Sequence, residues 1–218
     1  MSTQTSLAYT HIYRPPERPS GRTLLLLHGT GGNERDLLPL GAALAGDRDG
    51  ANLTMGLLSP LGDVRENGMA RFFARLAEGI FDEDDVVYRA GRLAQFVRAA
   101  ADQYRFDPDG VVAAGFSNGA NIAAAVLLLH PGVLRGGMLF SPMTPLAPSH
   151  EPDLTGTPIF ISAGRQDPIA SPAETERLWT LLDRCGADVD LHWYPGGHRL
   201  GPESIADARA WLEEHVGA

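Results

Sequence analysis

The sequence predicts a single α/β domain with a mostly parallel central sheet, helices on both faces and little or no cap domain. Short apolar segments alternate with amphipathic segments along the chain, an order typical of strand–helix–strand units. The segment Thr23–Leu27 is apolar after its first residue, which favours a strand buried on both faces. The length of 218 residues suits one domain, 1–218.

Six apolar segments are predicted to be strands: 23–27, 54–58, 111–115, 137–140, 159–163 and 189–194. Amphipathic patterns between and after them predict helices that include 85–104, 118–129 and 204–216.

Capping residues predict where two further helices begin. Asn33, with Asp36 three residues later, precedes an apolar pattern that starts at Leu37. Ser171 is followed by proline and then by Glu174, the order of a helix start with proline in its first turn.

Three segments are predicted to be irregular. Residues 15–21 form an N-terminal loop, and residues 141–158 form a proline-rich surface connection. Residues 63–85 mix aromatic and charged side chains, and a connection of that length is usually a lid or the wall of a binding site.

Composition restricts the classes of partner. A net charge of −9 argues against a nucleic-acid or anionic-membrane surface. The single cysteine, Cys185, permits neither an intramolecular disulfide nor a CxxC motif. The N-terminal 23 residues lack the apolar centre of a secretory signal, and no apolar run is long enough to span a bilayer. We therefore expect a cytoplasmic protein without a membrane anchor.

The strand-to-helix junction at 115–119 carries the candidate nucleophile. Its sequence, Gly-Phe-Ser-Asn-Gly, places Ser117 between Gly115 and Gly119. A hydrolase nucleophile stands on a tight, strained turn, and glycines two residues to either side relieve crowding with the neighbouring strand and helix. Chance occurrence of the pattern is the alternative, but chance matches seldom fall at such a junction.

A serine needs a base, and in this architecture the histidine comes last along the chain. His198 lies in a glycine-rich loop after the last predicted strand, which favours it as the base. His150 is the rival, in the proline-rich loop. The other histidines downstream lie in a strand, at a helix end or on the last helix: His192, His130 and His215.

The acid of a triad should lie between the serine and the histidine, at a strand's carboxyl end. Asp167 follows the predicted strand 159–163 and a glycine-containing turn. Asp153 is the rival, but no clear strand precedes it. Ser117, Asp167 and His198 together are stronger evidence for a triad than any one of them alone, because all three follow predicted strands.

An oxyanion needs backbone N–H donors beside the nucleophile. One donor is the amide of Asn118, at the start of a helix. The second is assigned to Thr30, with Gly31 as the rival, in the glycine-rich loop after the first strand. His28, in the same loop, is interpreted as a loop-ordering residue rather than a second base.

Apolar residues near these loops are predicted to line the substrate pocket, with plain core packing as the alternative: Phe72, Phe73, Ile80, Phe81, Met143 and Leu200. Arg71 could meet an anionic substrate, although an exposed ion pair with Glu66 or Glu78 is favoured.

On these motifs the chain resembles the phospholipase/carboxylesterase family of α/β-hydrolases, which includes bacterial carboxylesterases and acyl-protein thioesterases. The matching stretches are "LLLLHGTGGNERDLLPL", "GFSNGANIA", "SAGRQDPI" and "PGGH". The stretch "RFFARLAEGIFDEDD" is similar to the bacterial branch known as hydroquinone-induced hydrolases. The resemblance implies a Ser117–Asp167–His198 triad, with Thr30 and Asn118 as oxyanion donors.

The resemblance further implies hydrolysis of carboxylic esters, with no metal or cofactor. The chain departs from the acyl-protein thioesterases at Asn118, where they have glutamine, and at "HGTGG", where they have "HGLGD". Thioesterase or lysophospholipase activity and a non-catalytic hydrolase-fold binding protein are the alternatives. A dienelactone-type hydrolase ranks low, because those enzymes use cysteine at the elbow. The expected partner is a small-molecule ester, and a homodimer is left open.

Overall fold

A seven-stranded sheet forms the centre of the computed structural model, which describes residues 7–18, 20–46 and 52–217. In chain order the elements are β1 (His11–Arg14), β2 (Thr23–Leu27), α1 (Leu38–Ala45), β3 (Gly56–Pro60), β4 (Val64–Glu66), β5 (Met69–Arg71), β6 (Arg75–Ala77), β7 (Ile80–Phe81), α2 (Glu83–Tyr104), β8 (Val111–Phe116), α3 (Asn118–Leu129), β9 (Gly136–Phe140), β10 (Pro158–Gly164), α4 (Pro172–Arg184), β11 (Asp188–Tyr194) and α5 (Pro202–His215). Residues 1–6, part of the stretch searched for a signal, and Pro19 of the N-terminal loop lie outside the described residues.

The strands lie in the order β1-β3-β2-β8-β9-β10-β11. Every neighbouring pair is parallel except β1 and β3, which run antiparallel. The predicted mostly parallel sheet is therefore confirmed. Because parallel strands end at the same edge, the loops that follow β2, β8, β10 and β11 meet there.

The six predicted strands are all present, and five begin within one residue of the predicted position. The exception is β3, which begins at Gly56 rather than at Thr54. The backbone N–H and the hydroxyl of Thr54 both donate to the carbonyl of Ala45, at 2.7 and 2.8 Å. These bonds hold Thr54 against the end of α1, so the strand starts beyond it.

The predicted cap of α4 is confirmed, whereas α2 begins earlier than predicted. The Ser171 hydroxyl accepts a hydrogen bond from the Glu174 N–H, as predicted for the start of α4. Helix α2 begins two residues before the predicted position 85, because the Asp82 carboxylate caps it by accepting from the Asp85 N–H at 3.2 Å. Its three first-turn acidic residues also suit the positive end of the helix dipole.

The prediction that Asn33 caps a helix is wrong. Helix α1 begins at Leu38, and no side chain caps it. The Asn33 side chain instead accepts from the Arg35 N–H at 2.8 Å and donates to the Asp36 carboxylate at 2.7 Å. These short-range bonds close a separate turn, so the asparagine is satisfied before the helix starts.

Residues 62–81, here called the insert, contain two hairpins where a single long connection was expected. Strands β4 and β5 are joined through Asn67 and Gly68, both at positive φ (49° and 82°), the conformation of a two-residue hairpin turn. Strands β6 and β7 pair across a turn that contains Gly79, at φ 73°. The Asn-Gly pair was a sequence signal for the first hairpin.

Helices cover both faces of the sheet, as predicted. Side chains of α2, α3 and α4 pack into one core cluster, and those of α1 and α5 pack into the other. Helix α3 is buried along almost its whole length, from Asn118 to Leu128, which fixes the start of that helix rigidly beneath the sheet edge. Within the described ranges, the helices are too short or too polar to cross a bilayer.

Candidate active site

Ser117 occupies a strained turn between β8 and α3. Its φ of 53° and ψ of −116° lie in a region that side-chain-bearing residues rarely adopt. The surrounding structure enforces this conformation, because the Ser117 N–H donates to Phe140 O and its carbonyl accepts from the Asn121 N–H, both at 2.9 Å. This is the backbone expected of a nucleophile elbow.

The two glycines beside Ser117 are required by close packing. A Cβ on Gly119 would overlap the carbonyl of Leu27 on the neighbouring strand. A Cβ on Gly115 would lie 2.5 Å from the carbonyl oxygen of Gly119. The steric explanation given for the Gly-x-Ser-x-Gly pattern therefore holds in this chain.

The loops after β10 and β11 bring Asp167 and His198 together. The imidazole Nδ1 lies 2.7 Å from the Asp167 Oδ2 atom, and the carboxylate is completely buried. The other oxygen of Asp167 accepts from the N–H groups of Ile169 and Ala170, at 2.8 and 2.9 Å. Because a carboxylate only accepts, Nδ1 carries the hydrogen, and Nε2 is the nitrogen that has the lone pair in the neutral form of the ring.

The ring of His198 packs against Phe116, the residue before Ser117, with ring centroids 5.0 Å apart. This contact places the imidazole beside the elbow. Within the described residues, no hydrogen bond joins the Ser117 hydroxyl to the imidazole. Such catalytic hydrogen bonds are often long before substrate binds and tighten in the complex.

The rival acid and base lie in other environments. His150 is exposed, and its ring contacts Ser149 at 3.1 Å. Asp153 is also exposed, and hydrogen bonds from Thr155 lower the pKa of its carboxyl group. Neither residue is paired in the way that Asp167 and His198 are.

Two backbone N–H groups are free to bind an oxyanion. Asn118 is the first residue of α3, so its N–H has no partner within the helix. In the described part of the chain, the Thr30 N–H likewise donates to no protein acceptor. The rival Gly31 N–H is occupied, because it donates to Ala70 O at 2.9 Å.

His28 orders the loop that follows β2, as interpreted from the sequence. Its Nδ1 donates to Gly29 O at 2.7 Å, and its Nε2 accepts from the Gly62 N–H at 3.0 Å. The ring also packs on Phe72, at 4.7 Å between centroids. Burial lowers the pKa of His28 below its ordinary value of 6.5, so the neutral ring that makes both bonds is favoured.

Arg71 forms the favoured ion pair with Glu66, but the prediction that this pair is exposed is wrong. Only 4% of the Arg71 side chain is exposed, and its Nε lies 3.4 Å from the Glu66 carboxylate. Its Nη1 donates to the Thr30 hydroxyl at 2.7 Å. Burial, with a contribution from Arg75, lowers the pKa of the Arg71 guanidinium. The turns of the insert fold this side chain inward.

The residues predicted to line the pocket occupy different positions. Phe72 and Phe73 are completely buried in the core, so they present no surface to a ligand here, and core packing accounts for them. Ile80 is 58% exposed on the insert. The β6–β7 turn lies close to the buried Met143, because a Cβ on Gly79 would be 3.9 Å from Met143 Cε. Phe81 and Leu200 are half-buried.

These groups suit acyl transfer: a serine hydroxyl, an imidazole held by a buried carboxylate, and two free amides at one sheet edge. Within the described ranges, His, Cys, Asp and Glu side chains form no cluster of three or more that could hold a metal ion.

Comparisons with known proteins point to one family. The family model described as Phospholipase/Carboxylesterase matches residues 9–216. The chain is 44% identical over 206 residues to the Bacillus subtilis (strain 168) protein MhqD, whose name assigns it provisionally to the hydrolases; the match covers 94% of this chain and 98% of that one.

Two solved structures are similar over most of the chain. A Bacillus cereus carboxylesterase has a TM-score of 0.91 and 43% sequence identity, with 97% of each chain covered. A carboxylesterase from Mesorhizobium loti has a TM-score of 0.81 and 34% identity, with 88% of each chain covered.

Proposed function

Because the chain belongs to the phospholipase/carboxylesterase family, we propose that it hydrolyses carboxylic esters through a triad of Ser117, His198 and Asp167. One observation carries the proposal: the strained backbone of Ser117 sits beside an imidazole that is held at 2.7 Å by a buried carboxylate. Strain of about 1–3 kcal/mol persists only where the surrounding structure enforces it, and such positions cluster at active sites.

In the first half of the reaction, the Ser117 hydroxyl attacks the ester carbonyl carbon. His198 Nε2 takes the hydroxyl proton as the new C–O bond forms, and the buried Asp167 stabilises the resulting imidazolium. The amides of Thr30 and Asn118 hold the negative carbonyl oxygen. The C–O bond to the alcohol then breaks, and the imidazolium gives its proton to the departing alcohol, leaving an acyl-serine.

In the second half, water replaces the alcohol and the same groups act in reverse. His198 takes a proton from the water as its oxygen attacks the acyl carbon, and the same amides hold the second oxyanion. The bond to Ser117 breaks, the serine regains its proton from the imidazolium, and the carboxylic acid leaves. No metal or cofactor is needed for either half.

The proposed substrate is a small-molecule ester. Two apolar side chains of the insert are exposed to solvent, Leu76 to 73% and Ile80 to 58%. They could contact an acyl or alcohol group without enclosing it. A thioester presents the same acyl carbon to Ser117, so thioesterase activity is the alternative that differs only in the leaving group.

The proposal is tested with p-nitrophenyl acetate and butyrate. We expect Ser117→Ala to lower kcat by about 10⁴-fold or more, because the nucleophile of a triad cannot be replaced by its partners. Ser149→Ala is the matched control, since Ser149 is exposed in the proline-rich loop and its hydroxyl lies 3.1 Å from His150 Nδ1. Its activity should equal that of the wild type.

Two outcomes would overturn the proposal. Equal turnover by wild type and Ser117→Ala would place the chemistry elsewhere, and equal absence of turnover across an acetate-to-palmitate ester series would favour a binding protein. Matched oxygen esters and thioesters of one acyl chain then separate the esterase from the thioesterase.

A further inference from the structure

Three consecutive residues of the insert contact both halves of the oxyanion hole. The Ala70 carbonyl accepts from the Gly31 N–H at 2.9 Å, and Arg71 Nη1 donates to the Thr30 hydroxyl at 2.7 Å. The next backbone N–H, that of Phe72, donates to Asn118 Oδ1 at 2.7 Å. The loop after β2 and the start of α3 are therefore joined through one short segment, the end of β5 and the residue after it, as well as through the sheet.

Arg71 is itself held from several directions. Its Nε donates to Phe73 O at 3.1 Å and lies 3.4 Å from the Glu66 carboxylate. The other oxygen of Glu66 is 2.8 Å from Arg75 Nε. The backbone of Arg71 has little freedom either, because a Cβ on Gly62 would overlap its carbonyl group.

The burial of the Arg71 guanidinium must be offset by interactions within the protein. Only 3% of Arg71 is exposed, and burying a charge is costly unless it is paired and hydrogen-bonded. Its Nε donates to Phe73 O and its Nη1 to the Thr30 hydroxyl, so the second of these bonds reaches the loop after β2. The Thr30 N–H is one of the two free amides, and its direction depends on how that residue is held.

We propose that Arg71 is a positioning residue of the oxyanion hole, which acts by holding Thr30 through its hydroxyl so that the Thr30 N–H points at the developing oxyanion. The inference rests on the proposed function, because it assumes that Thr30 and Asn118 are the donors. It assigns to the insert a part in the chemical step, distinct from any contact with the substrate.

The test compares Arg71→Met and Thr30→Val with the wild type, using p-nitrophenyl acetate. The first removes the donor and the second removes its acceptor at nearly constant shape. We expect kcat/KM to fall about 10- to 100-fold in each, mainly through kcat, because small displacements of a catalytic group cost factors of this size. The double variant should lose no more than Arg71→Met alone, because both changes break one contact.

A second readout separates positioning from a general loss of structure. A trifluoromethyl ketone inhibitor forms an oxyanion on Ser117, so its inhibition constant should rise by the same factor as kcat/KM falls. Arg75→Met is the matched control: Arg75 shares the Glu66 carboxylate but is 26% exposed and makes no contact with Thr30. It should retain wild-type kcat and inhibitor affinity.

The inference fails if Arg71→Met keeps wild-type kcat and inhibitor affinity. If Arg71→Met does not fold, Thr30→Val takes its place in this comparison. It also fails if Arg75→Met loses as much as Arg71→Met. Ser117→Ala is assayed alongside: if that variant is inactive while both positioning variants are fully active, only this inference is overturned. If Ser117→Ala is as active as the wild type, the proposed function fails first.

Discussion

The two sides of the site are built by different means. On the sheet side, Ser117, Asp167 and His198 stand in loops that follow three strands of the central sheet. There the backbone is confined by direct packing, as at Gly119, where any side chain would meet Leu27. On the insert side, Phe72 and Phe73 also pack in the core, and the insert is joined to the loop after β2 by hydrogen bonds, such as the one from Arg71 Nη1 to the Thr30 hydroxyl.

The two sides also differ in exposure. Asp167 is 5% exposed, whereas Met69, Leu76 and Ile80 on the insert are 39%, 73% and 58% exposed. The sheet therefore holds the proposed catalytic groups in a rigid arrangement, and the insert supplies a polar inner contact and an apolar outer surface. We therefore expect changes on the sheet side to alter the chemical step or folding, and changes on the insert side to alter the positioning of Thr30 and stability.

The largest expected effect tests the sheet side through Asp167→Asn. The two backbone N–H groups at Oδ1 should keep the amide oxygen in place, which turns the amide NH₂ toward His198 Nδ1. Nδ1 must then accept, so the hydrogen moves to Nε2, which can no longer take the serine proton. We expect kcat to fall about 10⁴-fold with little change in thermal stability. A kcat within tenfold of wild type contradicts the assigned tautomer.

A folding effect of the sheet side is expected from Gly119→Ala. The added Cβ would overlap Leu27 O and lie 2.7 Å from His28 O, and neither backbone group can move without disturbing β2. We expect the free energy of unfolding to fall by about 3 kcal/mol, measured by chemical denaturation. Gly132→Ala is the control: Gly132 has a positive φ of 82° but nothing within 4 Å, so only about 1 kcal/mol of strain is expected. Equal losses in the two variants would show that overlap is not the cause.

The smallest effect is expected where the two sides meet, at His28→Asn. Burial lowers the pKa of His28 below 6.5. Below about pH 6.5, His28 therefore binds a proton more readily in the unfolded chain than in the folded protein. The contribution of the neutral ring is thus complete above about pH 6.5 and is lost as pH falls below it. The variant should be less stable by about 1–3 kcal/mol at pH 7.5, since Gly62 N–H loses its acceptor.

The pH dependence supplies the check on this third change. Unfolding free energies of wild type and His28→Asn, measured at pH 7.5 and 5.5, should differ less at the lower pH. A constant difference between the two proteins would show that His28 is not the group whose protonation opposes folding.

Much of the sheet side could be predicted from the sequence, because its signals are local. The apolar strand Val111–Phe116, the glycines around Ser117 and the helix that follows are contiguous, and each depends on neighbours in the chain. The partnership of Asp167 with His198 could be proposed because both residues follow predicted strands. Their 2.7 Å contact, by contrast, depends on the adjacency of β10 and β11 in the sheet.

The insert was predicted less well, and the reasons are physical. Its Asn67-Gly68 turn was readable, but the burial of Phe72 and Phe73 depends on their packing against a distant helix and the sheet. The burial of Arg71 was opposite to what a charged residue suggests, because its partners Thr30 and Phe73 become available only after folding. Strand β1 was missed because a short edge strand of mixed polarity has no apolar run.

By itself the sequence determined the parallel sheet and the tight turn at Ser117, because the spacing of apolar residues and the small size of glycine act between near neighbours in the chain. Only the tertiary structure decided which amides are free and what holds them: Gly31 is occupied by Ala70, while Thr30 is left open and held through Arg71. Hydrogen-bond partners remote in sequence are chosen by the packing of the strands, and no local pattern of residues records that choice.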